Sequence, residues 1–555
     1  MSGARIALPL ARIPLLVLVA VWLLPGLIGH DPWKNDDAIG IGIAHQFASH
    51  GDWLLPRLAG EHYSGDSPLF YWIAAAFARL LGGLIAEHDA ARLAGGACIA
   101  LALMFLRLAA NAFNQDPRGY GDSRVDDGHG GDSVMLLFMG STGLLLHAHE
   151  AINETALLAG LACAYYGAGL VPKRPYAAGT ALGCGLGAAF LATGLAPVLP
   201  LFVALLAAPL LVPDWRSRSA ALALACGLAV LVPWLAAWPA LLHARSPEQF
   251  TAWWHQANLA LLASGPSLAA AAGTFKTLAW FAFPAWPIAL WALWLSRRKP
   301  ASAAVAVPLI ALVTGLAIAC LTGSRGELPL LPLLLPLALL GGQVLSDLRR
   351  GAANSLAWFG TMTFSLLGAL IWLGYCALQT GFPPRIAANA ARLEPGFVSQ
   401  FAWLPLVVAG AITLAWIALV LGSARSPQRS VTFWAAGVAL FWALTMLLWL
   451  PWIDYGKSYR RVANSLHAVL AKHPGCIASR GLGEAQRAAF DYHAGIVTER
   501  AETGARPDCP LLLLQDNTGQ TETGPAGHWK KIWEGNRPGD RYEKFRLYAK
   551  VKAMP

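Results

Sequence analysis

Charged residues are scarce in this chain. Asp, Glu, Lys and Arg make up 13% of its 555 residues, where soluble domains carry roughly 25%. That deficit excludes an ordinary soluble globular protein. Cysteine is sparse too: there are eight, none in zinc-type spacing. Six of them, Cys98, Cys163, Cys184, Cys226, Cys320 and Cys376, lie in apolar stretches and read as small packing residues. No convincing internal repeat of the kind that builds transporters occurs. What is abundant is hydrophobic sequence, 56% of the chain, in long runs. The net charge of +10 lies largely in short clusters between those runs. That is the pattern of membrane topology and not of a nucleic-acid surface.

A membrane span needs about 20 mostly apolar residues. Runs of that kind lie near 9–29, 90–113, 133–149, 155–171, 176–194, 195–213, 219–240, 273–296, 302–321, 328–346, 354–378, 400–421 and 432–452. The sequence thus predicts an all-α polytopic membrane part of about thirteen helices over 1–452. No small-residue cleavage site precedes HDPWKNDD (30–37), so the first run is kept as a span and not read as a signal peptide. Arg5 and Arg12, Lys173 and Arg174, Arg216 and Arg218, Arg297 to Lys299, Arg349 and Arg350, and Arg425 and Arg429 fall on one side of that arrangement, which is therefore cytoplasmic. The acidic, glycine-rich loop 114–132 is the mild exception. An odd number of spans places the loop 30–89 and the tail 453–555 outside.

The tail has the pattern of a small α/β domain. SYRRVANSLHAVLAKH (458–473) carries Val462, Leu466, Val469 and Leu470 at helical spacing, and Pro474-Gly475 stops it. CIASR (476–480), CPLLLLQ (509–515) and KFRLYAKV (544–551) read as strands. Cys476 and Cys509 are the tail's only cysteines, each at the start of a predicted strand. In an oxidising compartment they are disulfide candidates, with two free thiols as the alternative.

The first loop opens on KNDDAIGIGIAHQFASHGDW (34–53). Ile39, Ile43 and Phe47 share a helical face, so a short amphipathic helix in the lipid–water interface is expected. SPLFYWIAAAFARLLGG (67–83) is marginal as a span and reads as a second surface helix anchored by Phe70, Tyr71 and Trp72. On the residues alone, helix capping accounts for the adjacent carboxylates Asp36 and Asp37.

An acidic pair, an amphipathic helix and then GDWLLPRLAGEHYSGDSPLFYW (51–72) resemble the first external loop of the polyprenyl-phosphate-sugar transferases, which include the lipid A 4-amino-4-deoxy-L-arabinose transferases and the protein O-mannosyltransferases. Weaker echoes run through ETALLAGLACAYY (154–166), GCGLGAAFLATGLAPVL (183–199), PWLAAWPALLHARSPEQFTAWWHQ (233–256) and GSRGELPLLPLLLPLALLGG (323–342). The resemblance implies a GT-C fold in a bacterial inner membrane, with its active site and C-terminal domain in the periplasm. It implies a polyprenyl-phosphate-linked sugar as donor, with lipid A, a protein or an envelope glycan as acceptor. Asp36 and Asp37 then correspond to the catalytic carboxylate and its neighbour, and single displacement inverts the anomeric carbon. Arg57, Tyr63, Ser67, Tyr71, Glu154, His255, Arg325 and Glu327 become the expected substrate contacts. The chain differs from the family pattern at Ile39, Ser67 and Thr193, where relatives carry basic residues, and at Pro329 in place of a tyrosine. Arg325, Arg57 and His255 are the candidate replacement cations. His147 and His149 lie two apart, off any shared helix face, so no metal site is expected there and no cofactor is required. A lipid-linked sugar transporter, or a non-catalytic envelope assembly protein, is the competing reading.

Overall fold

The computed structural model describes the chain outside residues 1–5, 115–129, 260–264, 266, 298–301, 323–325, 343, 346–347, 425, 504–508, 518–524, 526–528, 541 and 552–555. Arg325 and the core of the acidic 114–132 loop are among the residues not described. Seven described helices are long and apolar enough to cross a membrane: Glu87–Asn114, Pro175–Thr193, Arg218–Arg245, Ala303–Leu321, Arg350–Thr380, Trp403–Gly422 and Arg429–Leu448. Their exposed leucines, valines and aromatics suit lipid as solvent, because a helix satisfies its own backbone hydrogen bonds there.

Several predicted spans are shorter or broken. The expected 9–29 span is helical only over Arg12–Leu23. The chain then turns through Gly26, at φ 90°. The 133–149 run divides into Gly130–Met139 and Leu144–His147. The 273–296 run bends by 97° between Leu268–Phe281 and Ala285–Ser296. Pro284 stands at that break, where it removes an N–H donor and crowds the residue before it. The 328–346 run starts as a 3₁₀ turn, Leu328–Leu333, which contains Pro329 and Pro332, and becomes α-helical only over Leu334–Gly342.

The C-terminal region builds its own core. Strands Glu499–Arg500, Ile477–Arg480, Leu511–Asn517, Glu543–Lys550 and Trp529–Gly535 lie side by side in that order. The first three are parallel and the last two run antiparallel to their neighbours. Helices Arg460–Leu470 and Glu484–Ala494 cover the sheet through Leu466 and Phe490, which close over Leu513, Phe545 and Leu547. The three strands expected from sequence are present. Helix Glu484–Ala494 and the edge strand Trp529–Gly535 had not been expected.

Cys476 and Cys509 form a disulfide, with Cα atoms 5.1 Å apart and a sequence separation of 33. Closing a loop of that size restricts the unfolded chain, an effect typically worth about 2–4 kcal/mol. Cys476→Ser/Cys509→Ser is therefore expected to lower the melting temperature of the C-terminal region. Reductant should lower it equally in the native protein and not at all in the double variant.

A polar seam joins the loop after the first apolar segment to the region after the last. The Asp31 N–H donates to Asp454 at 2.9 Å, Arg460 Nε donates to Asp31 at 2.9 Å, and Lys34 Nζ meets Glu543 at 3.0 Å. Contacts of 3 Å cannot cross a hydrocarbon layer about 30 Å thick. Residues 31 and 460 therefore share one face of the membrane, and the chain between them crosses an even number of times.

Candidate active site

Helix Asp36–His50 lies at the centre of the seam. Its sequence is unusual for a helix in carrying Gly40 and Gly42, and close packing explains both. A Cβ on Gly40 would stand 1.8 Å from the Ala151 carbonyl oxygen, and one on Gly42 would stand 2.8 Å from the Ala488 Cβ. The helix is pinched between the membrane part and helix Glu484–Ala494. Ile41, Ile43, Ala44 and Phe47 are all buried. A helix is present where one was expected, but it is not the amphipathic surface helix predicted: it is enclosed by protein on most of its sides. Helix Leu69–Leu81 buries Phe70, Tyr71, Ala74, Ala75 and Ala78, and Trp72 Nε1 donates to the Trp53 carbonyl at 2.7 Å.

The adjacent carboxylates do different things. Asp37 is buried and accepts four hydrogen bonds. Arg92 Nε and Nη2 reach its two oxygens at 3.2 Å each, the Ala151 N–H at 2.9 Å and the Trp33 N–H at 3.1 Å. Burial pushes its carboxyl up, but the Arg92 charge, with the hydrogen bonds from Arg92 and the Ala151 N–H, outweighs that and holds it below the usual range. Arg92 is fully buried as well. Its remaining N–H groups go to Asp89 at 3.1 Å, to the His30 carbonyl at 3.2 Å and to the Asp31 carbonyl at 3.3 Å. All five guanidinium donors are thus used. Asp37 is a strut that fixes the turn leading into the helix, with no lone pair left for a substrate.

Asp36, one residue earlier, is half-buried and uncommitted. Among the described residues no other group donates a hydrogen bond to it. Burial pushes its carboxyl up, and the nearby Glu150 and Asp66 charges add to the effect, with His147 opposing. Asp66 accepts from the Tyr63 and Tyr71 hydroxyls, each at 2.9 Å. Burial and the adjacent Asp66 charge raise both phenols, so they remain donors at neutral pH. His147 bridges Glu150 at 2.8 Å and Glu327 at 3.3 Å. His149 instead meets two backbone carbonyls, those of Leu145 and Trp22. Glu154 faces Asp66 and Asp36 from the first turn of helix Asn153–Leu170, and its Oε2 is buried without a hydrogen-bond partner.

The expected substrate contacts therefore divide. Of the expected site residues, Asp36, Glu154 and Glu327 converge, and they are joined by Asp66, Glu150 and His147, which were not among them. Ser67 does not join them: it is fully buried, and Trp253 Nε1 donates to its hydroxyl at 3.3 Å. Tyr71 is likewise buried, and its hydroxyl is spent on Asp66. Both are corrected from substrate contacts to supports of the loop, since neither side chain reaches an open surface. Tyr63 lines a small crevice with Asp66, Trp238 and Trp253. Arg57 sits on the short hairpin opposite His62. His255 is exposed on the turn Trp254–Leu259.

Sequence reasoning missed Arg92, Asp66, Glu150 and Asp454. The only signal available for Arg92 was a lone cation at the head of a predicted span. Beside the crevice, and sharing Trp238 with it, lies an open apolar groove of about 490 Å³ lined by Trp53, Trp72, Leu191, Pro233, Trp234, Ala237 and Leu241.

No model of a known protein family matches the chain. Relatives are nonetheless recognisable. The chain is 28% identical over 464 residues to an undecaprenyl phosphate-alpha-4-amino-4-deoxy-L-arabinose arabinosyl transferase of Pseudomonas paraeruginosa, covering 78% of this chain and 74% of the relative. It is equally similar, over 466 residues, to the transferase of that name in Pseudomonas aeruginosa. The fold is that of ArnT from Cupriavidus metallidurans. The crystal structure bound to undecaprenyl phosphate superposes with a TM-score of 0.67 at 18% identity, over 98% of each chain. The apo structure gives 0.64 over 96% of this chain and 97% of that one.

Proposed function

We propose that this chain is a membrane glycosyltransferase that moves a sugar from a polyprenyl-phosphate carrier to an acceptor at the outer face of the membrane. The relatives' names and the motif at 36–72 support the chemistry. The observation that carries it is Asp36: a half-buried carboxylate without a partner, aimed from a rigid helix end into a polar cluster beside an apolar groove. In that reading Asp36 takes the proton of an acceptor hydroxyl. The acceptor oxygen bonds to C1 of the sugar, the C1–O bond to phosphate breaks, and the electron pair leaves on the phosphate. Attack opposite the leaving group inverts C1. A phosphate acceptor is already ionised, and Asp36 then only orients it. Asp37 and Arg92 position Asp36 and touch no reactant. Glu154 and Glu327 border the sugar.

The same reading takes residues 1–452 as the catalytic membrane part, residues 453–555 as a periplasmic domain, and thirteen crossings in all. Thirteen agrees with an even number between residues 31 and 460, because one precedes residue 31. Periplasmic placement follows from the basic clusters on the opposite side. The acceptor class remains lipid A, protein or glycan.

The test is purified chain in proteoliposomes supplied with polyprenyl-phosphate sugars and candidate acceptors, with products read by mass spectrometry. Glycosylated acceptor is the expected result. Carrier moved across the bilayer with no acceptor glycosylated would replace this reading with a transporter. Labelling of a cysteine at position 36 by an impermeant reagent from the cytoplasmic side alone would overturn the topology.

The tryptophan-lined groove suits the isoprenoid hydrocarbon, since it is apolar, open to the side and shares Trp238 with the Tyr63–Asp66 crevice. Ala237→Trp fills it. The expected outcome is a several-fold rise in KM for the long-chain donor, with little change for a donor carrying a short, soluble prenyl chain. Equal effects on both donors would remove the groove from the carrier's path.

A further inference from the structure

We propose that Lys457 grips a phosphate group of the lipid substrate beside Asp36, an inference that rests on the transferase reading and extends it. When the sugar leaves its carrier, the phosphate takes up a second negative charge, and a preorganised cation is the usual means of receiving it. The described cations around Asp36 are almost all engaged. Arg92 has no free donor, and His147 is held between two glutamates. Arg460 is paired with Asp31, Lys34 with Glu543, and Arg537 with Asp540 and Glu543. Arg57 lies on the hairpin and His255 on an exposed turn.

Lys457 is different. It ends helix Leu450–Lys457, which is fastened to the catalytic loop one turn earlier. There Asp454 accepts from the Asp31 N–H and from Trp33 Nε1, each at 2.9 Å. This places the Lys457 ammonium over the Trp33 ring, 4.8 Å from its centroid. The Trp33 N–H is in turn bonded to Asp37. Among the described residues, Lys457 Nζ makes no hydrogen bond and meets no carboxylate within 4.0 Å. The side chain is exposed. Partial burial lowers its ammonium, with the Glu150 charge opposing; Glu150 also faces Asp36 and is bonded to His147. An aromatic face holds the ammonium in place without neutralising it. Lysine serves as a point-charge phosphate binder elsewhere. A phosphate seated on Lys457 would lie at the Trp33 ring, whose residue is bonded through its backbone N–H to Asp37, the neighbour of Asp36.

The test uses full-length protein in nanodiscs and two probes, undecaprenyl phosphate and the uncharged undecaprenol. The wild type is expected to bind the phosphate more tightly. Lys457→Ala should lower that affinity about tenfold, the scale of one charge-assisted contact, and leave undecaprenol binding unchanged. Lys457→Arg should restore most of the loss. Unaltered phosphate binding in Lys457→Ala, or an equal loss for both probes, would overturn the proposal. In the transfer assay, a raised KM for the sugar donor assigns the gripped phosphate to the carrier. A raised KM for a phosphate-bearing acceptor assigns it to the acceptor. No change in either KM would also overturn it. If the wild type transfers no sugar while the Lys457-dependent preference for phosphate persists, the transferase reading fails and the grip stands.

Discussion

Asp36→Asn lowers the rate of sugar transfer by about 10²–10⁴-fold, the usual contribution of a positioned general base, and leaves the fold intact. The variant keeps the shape and loses the proton acceptor. It should not disturb folding, because no described residue depends on the Asp36 side chain for a hydrogen bond. Removing a carboxylate that faces Glu150 and Asp66 leaves the melting temperature level or slightly raised. The pH profile provides a second check. Burial, with Glu150 and Asp66 nearby, raises the Asp36 carboxyl. A base acts only when ionised, so kcat/KM falls as pH drops through that raised value. The acid limb should therefore lie above the ordinary carboxylate range near ~4, and it should disappear in the variant. Full activity in Asp36→Asn would end the assignment. With a phosphate acceptor, the loss should be smaller and the acid limb flatter, so the profile also reports what is being glycosylated.

The second large effect falls on stability. Arg92→Met leaves the Asp37 carboxylate buried beside two backbone donors and no cation. Breaking one side of a buried pair costs about 3–5 kcal/mol. Thermal unfolding of the detergent-solubilised protein should show it as a marked drop in melting temperature, with activity falling as the turn before Asp36 loosens. Adding Asp37→Asn should cost less than the sum of the single changes, since the two residues share one network. The pair also sets an acid limit. Asp37 has a folded-state value held below its unfolded one. Its stabilisation is therefore complete above the unfolded value near ~4 and is lost as pH falls through the folded one. Arg92→Met melting at the wild-type temperature at neutral pH would show the strut to be dispensable.

These two residues illustrate what the sequence could convey. The carboxylate pair and the Gly-Asp-Trp to Tyr-Trp stretch were visible as a motif, and the separate fates of Asp36 and Asp37 were not. What separates them is Arg92, 55 residues downstream, together with the Ala151 N–H, and neither partner leaves a local trace. Ser67 and Tyr71 failed in the opposite direction. Their place in the motif suggested substrate contact, but Trp253 and the packing of helix Leu69–Leu81 enclose them. Uninterrupted apolar runs such as 400–421 were legible because hydropathy alone defines them. Runs containing Pro284 or Pro329 were overread, because hydropathy does not register a missing donor. In the tail, alternating or wholly apolar strands were found. Trp529–Gly535 was missed because WKKIWEG carries the charges typical of an edge strand.

The seam between residues 31–37 and 454–543 also orders the life of the polypeptide. Everything that aims Asp36 from the membrane side is synthesised in the first third of the chain, whereas Asp454, Arg460 and Glu543 emerge from the ribosome near the end. A nascent or truncated chain would hold its base without the clasp that seats the loop. The loop would then be clasped only once the strand that carries Glu543 has been made and folded.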